Sequence, residues 1–256
     1  MKLQTVLFML FLSGFYTPSV AQYTYFPDKG TVVYEKKINV HAFIRKSREM
    51  KHFNFQGDAF SGTPQFSTSK YILAFDGAVS LYTPEKAEQI YIYSHDISPE
   101  IDATNTVYAW PDRGRATVRK RFMMEDFLIK EDTLRQINWK ITDETRDILG
   151  YTCRRANALI MDSVYVVAFY TDEIPFRGGP ESFTGLPGMI LGVALPHHHI
   201  TWFATEIKQG TAPAVPIVAP TAGKPQTRSG LREYLNKNLR IYNKNFLKRV
   251  INGIML

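Results

Sequence analysis

The segment Ile174-Pro175-Phe176-Arg177-Gly178-Gly179-Pro180-Glu181-Ser182-Phe183-Thr184-Gly185-Leu186-Pro187-Gly188-Met189-Ile190-Leu191 constrains this chain more than any other stretch. Four glycines and three prolines lead directly into an apolar run. Glycine admits positive φ and proline holds φ at about −65°, so such a segment prescribes one backbone path. Leu186-Pro187-Gly188-Met189 reads as a type II turn, with Pro second and Gly third.

The rest of the chain reads as short strands. Thr31 to Val40, Lys70 to Phe75, Val79 to Tyr82, Thr106 to Trp110 and Ala116 to Phe122 come first. Asp126 to Lys130, Ile137 to Ile141 and the stretch entered at Gly150-Tyr151 follow. Ser163 to Thr171, Met189 to Leu195 and His198 to Ile207 complete the set. Asp76-Gly77 marks a hairpin between two of them. Phe43 to Phe53 reads as a short helix or a polar excursion, and Asn54 to Ser69 as a loop. About ten strands without alternating long helices predict a mainly β fold, an antiparallel curved sheet forming an open barrel or bowl.

The ends carry different signals. Lys2 precedes an apolar run from Val6 to Phe15, and Ser19-Val20-Ala21 offers small residues for cleavage. Residues 1–21 therefore read as a secretory signal peptide, with Gln22 the first mature residue. No cysteine stands at that cleavage site, so no lipoprotein anchor is indicated. Residues 22–208 form the β-rich domain. Residues 209–228 hold Pro213, Pro216, Pro220 and Pro225 among alanines and threonines, and read as a linker or strap. In residues 229–256, Leu231, Leu235, Leu239, Tyr242, Phe246 and Val250 recur at helical spacing, and Gly253 is the expected stop.

The net charge of +7 is concentrated at that end. Arg228, Arg232, Lys237, Arg240, Lys244, Lys248 and Arg249 face one acid, Glu233. A nucleic-acid binder normally spreads its basic residues over a folded face, so none is expected here. A basic amphipathic helix suits peripheral contact with an anionic membrane, or it packs its apolar stripe on the sheet.

Gly185-Leu186-Pro187-Gly188-Met189-Ile190-Leu191 resembles the signature of the GLPGLI family, exported proteins of Bacteroidota with no established biochemical function. The likeness extends upstream through Trp139-Lys140-Ile141 and Ile148-Leu149-Gly150-Tyr151-Thr152-Cys153-Arg154-Arg155-Ala156. It continues through Phe169-Tyr170-Thr171-Asp172-Glu173-Ile174-Pro175, and Gly179, Pro180 and Phe183 complete it. Met189 stands where the family usually has Leu. The resemblance implies a structural motif built on Cys153, Pro175, Gly179, Pro180, Phe183, Gly185, Leu186, Pro187 and Gly188. It is also similar, at the level of fold, to a bowl-shaped β domain of certain bacterial peptide N-glycanases, a likeness that transfers no activity.

Few residues point to chemistry. Cys153 is the chain's one cysteine, which excludes an internal disulfide and leaves a buried thiol, a metal ligand or an intermolecular partner. His197-His198-His199 would start a strand, placing His197 and His199 on one face where two imidazoles could hold Zn²⁺ or Cu²⁺. Cys153 and methionine would suit Cu⁺. His41, His52 and His95 lie far away in sequence. Glu181-Ser182 lacks the Gly-x-Ser-x-Gly elbow, and no Gly-Lys-Ser/Thr phosphate loop is present. Asp172 and Glu173 are adjacent, so on a strand they would face opposite ways. Tyr165, Phe169, Trp202 and Phe203 are core residues or the lining of an apolar concavity.

These observations favour a non-enzymatic, envelope-associated domain that binds an envelope protein or an apolar ligand in the periplasm, at the outer membrane or outside the cell. No cofactor is expected on this reading. A Cu or Zn protein using His197 and His199 is one alternative, and a hydrolase-associated module is the other.

Overall fold

A computed structural model describes residues 28–51, 64–86, 104–122, 125–240 and 244–256. The expected signal peptide, His52 and His95 lie outside the described residues. The chain is mostly β. Strands β1 (Lys29–Asn39), β2 (Phe66–Asp76), β3 (Val79–Pro84), β4 (Thr104–Trp110), β5 (Arg115–Phe122) and β6 (Glu125–Thr133) form one antiparallel meander. Strands β7 (Lys140–Ile148), β8 (Tyr151–Ile160), β9 (Val164–Thr171), β10 (Met189–Leu195) and β11 (Ile200–Gln209) form a second. The antiparallel pair β1·β11 joins the two, from Gly30↔Gln209 to Ile38↔Ile200. A two-residue strand, β12 (Lys224–Pro225), runs parallel to β6 at one edge, and β7 is the other edge. The result is a single open sheet.

Local chemistry accounts for the main elements. In β1, Val32, Tyr34, Lys36 and Ile38 alternate onto the buried face. The expected hairpin joins β2 to β3 with Asp76 opposite Val79, and Gly77 takes φ 56° in the turn. Val40, Phe43 and Ile44 lie at i, i+3 and i+4, and their burial holds helix α1 (Val40–Lys51) against the core. Thus Phe43 to Phe53 is not a polar excursion over its described part. Residues 134–139 carry no strand, and pairing resumes one residue on, at Lys140.

The C-terminal segment is two helices, α2 (Arg228–Asn238) and α3 (Lys244–Ile254), where one was expected. The Thr227 hydroxyl caps α2 by accepting from Gly230 N. Leu231, Leu235 and Leu239 are buried with Phe127 and Ile129 of β6 in a second hydrophobic cluster. That stretch of the apolar stripe therefore packs on the sheet. Gly253 does not stop the helix, because Ile251, Ile254 and Met255 are buried in the same cluster and hold the last turn in place. The preceding strap is tied to the sheet by Ala214 N donating to Thr31 Oγ1 and Gln226 N donating to Leu128 O.

The main core lies on the inner face of the sheet. Its filling includes the Gly/Pro segment, whose Ile174, Phe176, Phe183 and Leu186 are buried there.

Candidate functional site

The Gly/Pro segment doubles back between β9 and β10. Met189 N donates to Ile174 O, and Ile190 N donates to Gly178 O, closing the loop at its base. Gly188 N donates to Leu186 O, so the chain makes a γ-turn at Pro187. The expected type II turn does not form, because Met189 N is committed to Ile174 instead of Leu186. Seen from the sheet, the segment has two sides. Phe176 packs on Phe75 with ring centres 5.1 Å apart, and Phe183 meets Trp202 edge-on at 6.2 Å. The other side presents Arg177, Thr184, Gly185 and Pro187 outward. The Trp139 indole donates to Thr184 O at 2.9 Å and anchors this outer crest.

Between segment and sheet lies a buried polar layer. Lys36, Asn105, Lys120, Glu181 and Ser182 all lie within it, each less than 8% exposed. Lys120 Nζ donates to Asn105 Oδ1 at 3.3 Å, and Asn105 Nδ2 donates to Glu181 Oε2 at 2.6 Å. The Lys36 ammonium stands over the rings of Trp202 and Tyr71, at 5.5 and 5.9 Å from their centres. Ser182 Oγ donates to Leu256 O at 2.9 Å, a structural task that occupies this hydroxyl. Glu181 takes a left-handed backbone, φ 53°, which aims its carboxylate inward at that relay. Among the described residues, the Tyr82 hydroxyl and the Trp202 indole face each other without completing a hydrogen bond. This layer pins the Gly/Pro segment to strands β4 and β5.

The outward side of the segment forms one wall of an open cleft of about 750 Å³. Arg113 and Arg135 line the cleft from the turns flanking β5 and β6, and Arg177 from the segment, with Asp112 the one acid among them. Arg113 is the last residue of a 3₁₀ turn, Pro111–Arg113, closed by Gly114 at φ 63°. Arg135 is held in place by Met255 O, which accepts from Nη2 at 3.0 Å. Arg113 and Arg177 are exposed and make no ion pair with the described residues. Guanidinium groups around a recess offer planar, multiple donors suited to carboxylate or phosphate oxygens.

The other candidates do not gather here. Cys153 is buried on β8, its Sγ 3.5 Å from Tyr151 O. Burial, followed by the charges of Asp147 and Glu173, pushes its thiol from 9.0 up to about 12. His197 and His198 sit in a 3₁₀ turn, Pro196–His198, and His199 closes it at φ 56°. The strand begins only at Ile200, so the period-2 argument that set His197 beside His199 does not apply. Cys153 is beside Arg154, which pairs through Tyr170 with Ile190 at the far end of β10. The Ile190–Leu195 stretch alone spans about 17 Å, so Cys153 cannot join those histidines. Among the described residues no three His, Cys, Asp or Glu side chains come together. Phe169 and Phe203 pair at 6.3 Å beneath Arg146, whereas Trp202 is packed inward on Phe183. The two groups face opposite sides of the sheet and do not line one apolar concavity.

Residues 159–192 match a family model described as a protein of unknown function (Porph_ging). The matched stretch runs from the end of β8 to Gly192, through the whole Gly/Pro segment. Two structures of PNGF-II, in the P21 and C2 space groups, resemble the chain at 14% identity, with TM-scores of 0.48 and 0.49. Each likeness covers 78% of this chain, and 32% and 31% of the respective PNGF-II chains. The chain thus spans about a third of those proteins' length. No curated protein matches it.

Lys36, Asn105 and Lys120 were not singled out from sequence, yet a signal was present. Lys36 occupies the inward phase of Val32, Tyr34 and Ile38, and Lys120 that of Ala116 and Val118. A lysine in phase with a buried apolar set needs a buried partner. The rim arginines give no such signal, because each lies in a different turn.

The buried acids predict an alkaline weakness. Burial raises Tyr34, Tyr71, Tyr82 and Cys153 above their ordinary values; the next cause is the Glu181 charge for Tyr71 and Tyr82, and Cys153 for Tyr34. Each is neutral when protonated, so the folded state keeps protons that the unfolded state loses. Stability is full below pH 9 and falls as pH rises from 9.0 toward about 12. Urea midpoints at pH 7, 9 and 10.5 check this, and a midpoint unchanged at 10.5 would contradict it. At pH 8, iodoacetamide should alkylate native Cys153 about a thousandfold more slowly than the urea-unfolded chain.

Proposed function

We propose that this protein is an exported, non-enzymatic binding domain of the GLPGLI type, and that its binding surface is the rim cleft beside the Gly/Pro segment. The observation that carries this reading is the placing of Arg113 and Arg177 in one recess, the Arg177 side of which is anchored by the buried polar layer. An anchored wall with exposed guanidinium groups that make no ion pair with the described residues loses little freedom when a partner arrives. Support for a non-catalytic role comes from the work already assigned to the reactive side chains. Ser182 Oγ is engaged by Leu256 O, Glu181 by Asn105, and the Cys153 thiol is kept protonated by burial. The leader-like residues 1–21 support export to the periplasm or beyond. The cleft's polar walls favour a polar ligand or an envelope protein over an apolar ligand.

The test uses protein purified from a periplasm without chelator or affinity histidines. Native mass spectrometry should find a bound organic ligand that the Arg113→Glu/Arg177→Glu variant lacks. If the occupant is a protein, Thr184→Cys carrying a maleimide photo-crosslinker should capture it in the envelope, with buried Cys153 left unlabelled. An unliganded mass together with no crosslink from the cleft would overturn the proposal. A stoichiometric metal that survives the double arginine variant would also overturn it and promote His197 and His199.

A further inference from the structure

We infer that the rim cleft is one half of a longer tract, built to take an extended acidic polypeptide segment with interspersed apolar residues. The inference rests on the rim-cleft reading above and adds the occupant's chemistry and length. A second cleft, of about 530 Å³, opens beside the first. Arg135 lines both. The second cleft adds Arg228 and Arg232 from α2, the Ser229 hydroxyl and the half-buried Met161, with the buried Met255 at its floor. Along the two clefts five guanidinium groups meet a single lining acid, Asp112. The exposed Arg113, Arg177 and Arg232 place positive charge along one continuous surface, which calls for an anionic partner.

The shape and lining choose among anionic partners. The arginines line recesses, which a planar layer of lipid headgroups does not enter, whereas an extended chain does. Neither lining contains an aromatic ring, so bases and sugar rings find no stacking platform. Met161, half-buried beside these arginines, instead suits a peptide that alternates carboxylates with apolar side chains, since methionine adapts to varied apolar shapes. Arg135 is the fixed point of the tract. Its guanidinium is held by Met255 O and lies 3.8 Å from Met161 Sδ, which couples the rim to the second cleft.

The probe is a fluorescein-labelled peptide of alternating Glu and Leu, twelve residues by design, read by anisotropy with the purified protein. Binding should weaken about tenfold or more between low and physiological salt, as contacts among exposed charges are screened. Arg113→Glu/Arg177→Glu at the rim and Arg232→Glu in the second cleft should each weaken it at least tenfold, with melting temperatures unchanged. Loss on the rim variant alone would leave the rim cleft standing as a site and overturn the shared tract. No loss on either variant, or equal binding of a Lys-Leu peptide, would overturn the inference outright. Phosphatidylglycerol vesicles or dextran sulfate displacing the peptide more strongly than unlabelled peptide at equal charge would overturn the polypeptide assignment. The native mass measurement separately decides whether the rim cleft is a site at all.

Discussion

Gly188→Ala should unfold this protein more readily than any other single methyl addition to the Gly/Pro segment. A Cβ on Gly188 would stand 2.0 Å from Thr171 O and 2.9 Å from Asp172 Cα. Both are backbone atoms, so no rotamer change relieves the contact. Gly188 also holds φ 156°, a conformation that L side chains rarely adopt. Backbone strain and overpacking together should cost about 2–6 kcal/mol. For a domain of this size that lowers the melting temperature by roughly 5–20 °C. The reason for such closeness is the pairing that follows at once, Met189 opposite Thr171, which brings the two backbones together before β10 begins.

Gly185 provides the control. Its added Cβ would meet only the Trp139 indole, at 3.5 Å, an ordinary contact. Its φ of 93° remains unfavourable for alanine, so Gly185→Ala should cost about 1–2 kcal/mol from conformation alone. Thermal melts of the two variants side by side separate clash from conformation. Equal losses would mean that the close approach at Thr171 contributes nothing. The two glycines of one motif thus have different physical reasons to be glycine, and only the path of the neighbouring strand reveals the difference.

That contrast indicates what the sequence could disclose. Strands β9 and β10 were legible because VYVVAFYT and MILGVAL are buried on both faces, which needs nearly continuous β-branched and apolar residues. Strand β7, KITDETRDI, was partly hidden, because it is an edge exposed on both faces. There the β8 backbone supplies the pairing, and charges protect the free edge. The two residues of β12 carry no periodicity, and Pro225 fits the edge position it occupies. The break between α2 and α3 was masked by an apolar stripe that keeps helical spacing across it. As for the site, the sequence located the segment that forms its wall. It did not reveal the opposite wall, since Arg113 and Arg135 reach the cleft only through the β4–β5 turn and the exit from β6.

Glu181→Ala should produce a loss comparable to Gly188→Ala by an unrelated mechanism. Glu181 lies in a buried layer with two lysines, and Asn105 relays Lys120 to its carboxylate. Removing the one acid of this layer leaves two ammonium groups in the interior without that carboxylate. Breaking a buried charge network in this way costs about 3–5 kcal/mol, more than the network itself contributes over an apolar replacement. Glu181→Gln should lose less, because an amide oxygen still accepts from Asn105 Nδ2. Replacing the three charges together, as Lys36→Met/Lys120→Met/Glu181→Leu, should recover much of the stability lost by Glu181→Ala. Urea denaturation of the three variants decides the matter. A Glu181→Ala loss below about 1 kcal/mol would show the layer to be solvated and only loosely coupled. A triple variant no more stable than Glu181→Ala would mean that shape, not charge, seats the segment. If the charges do seat it, the triple variant should keep its fold while the rim cleft loosens, and the peptide affinity of the tract should fall although the melting temperature stays above that of Glu181→Ala. The layer would then fix the wall that binds as well as hold the fold together.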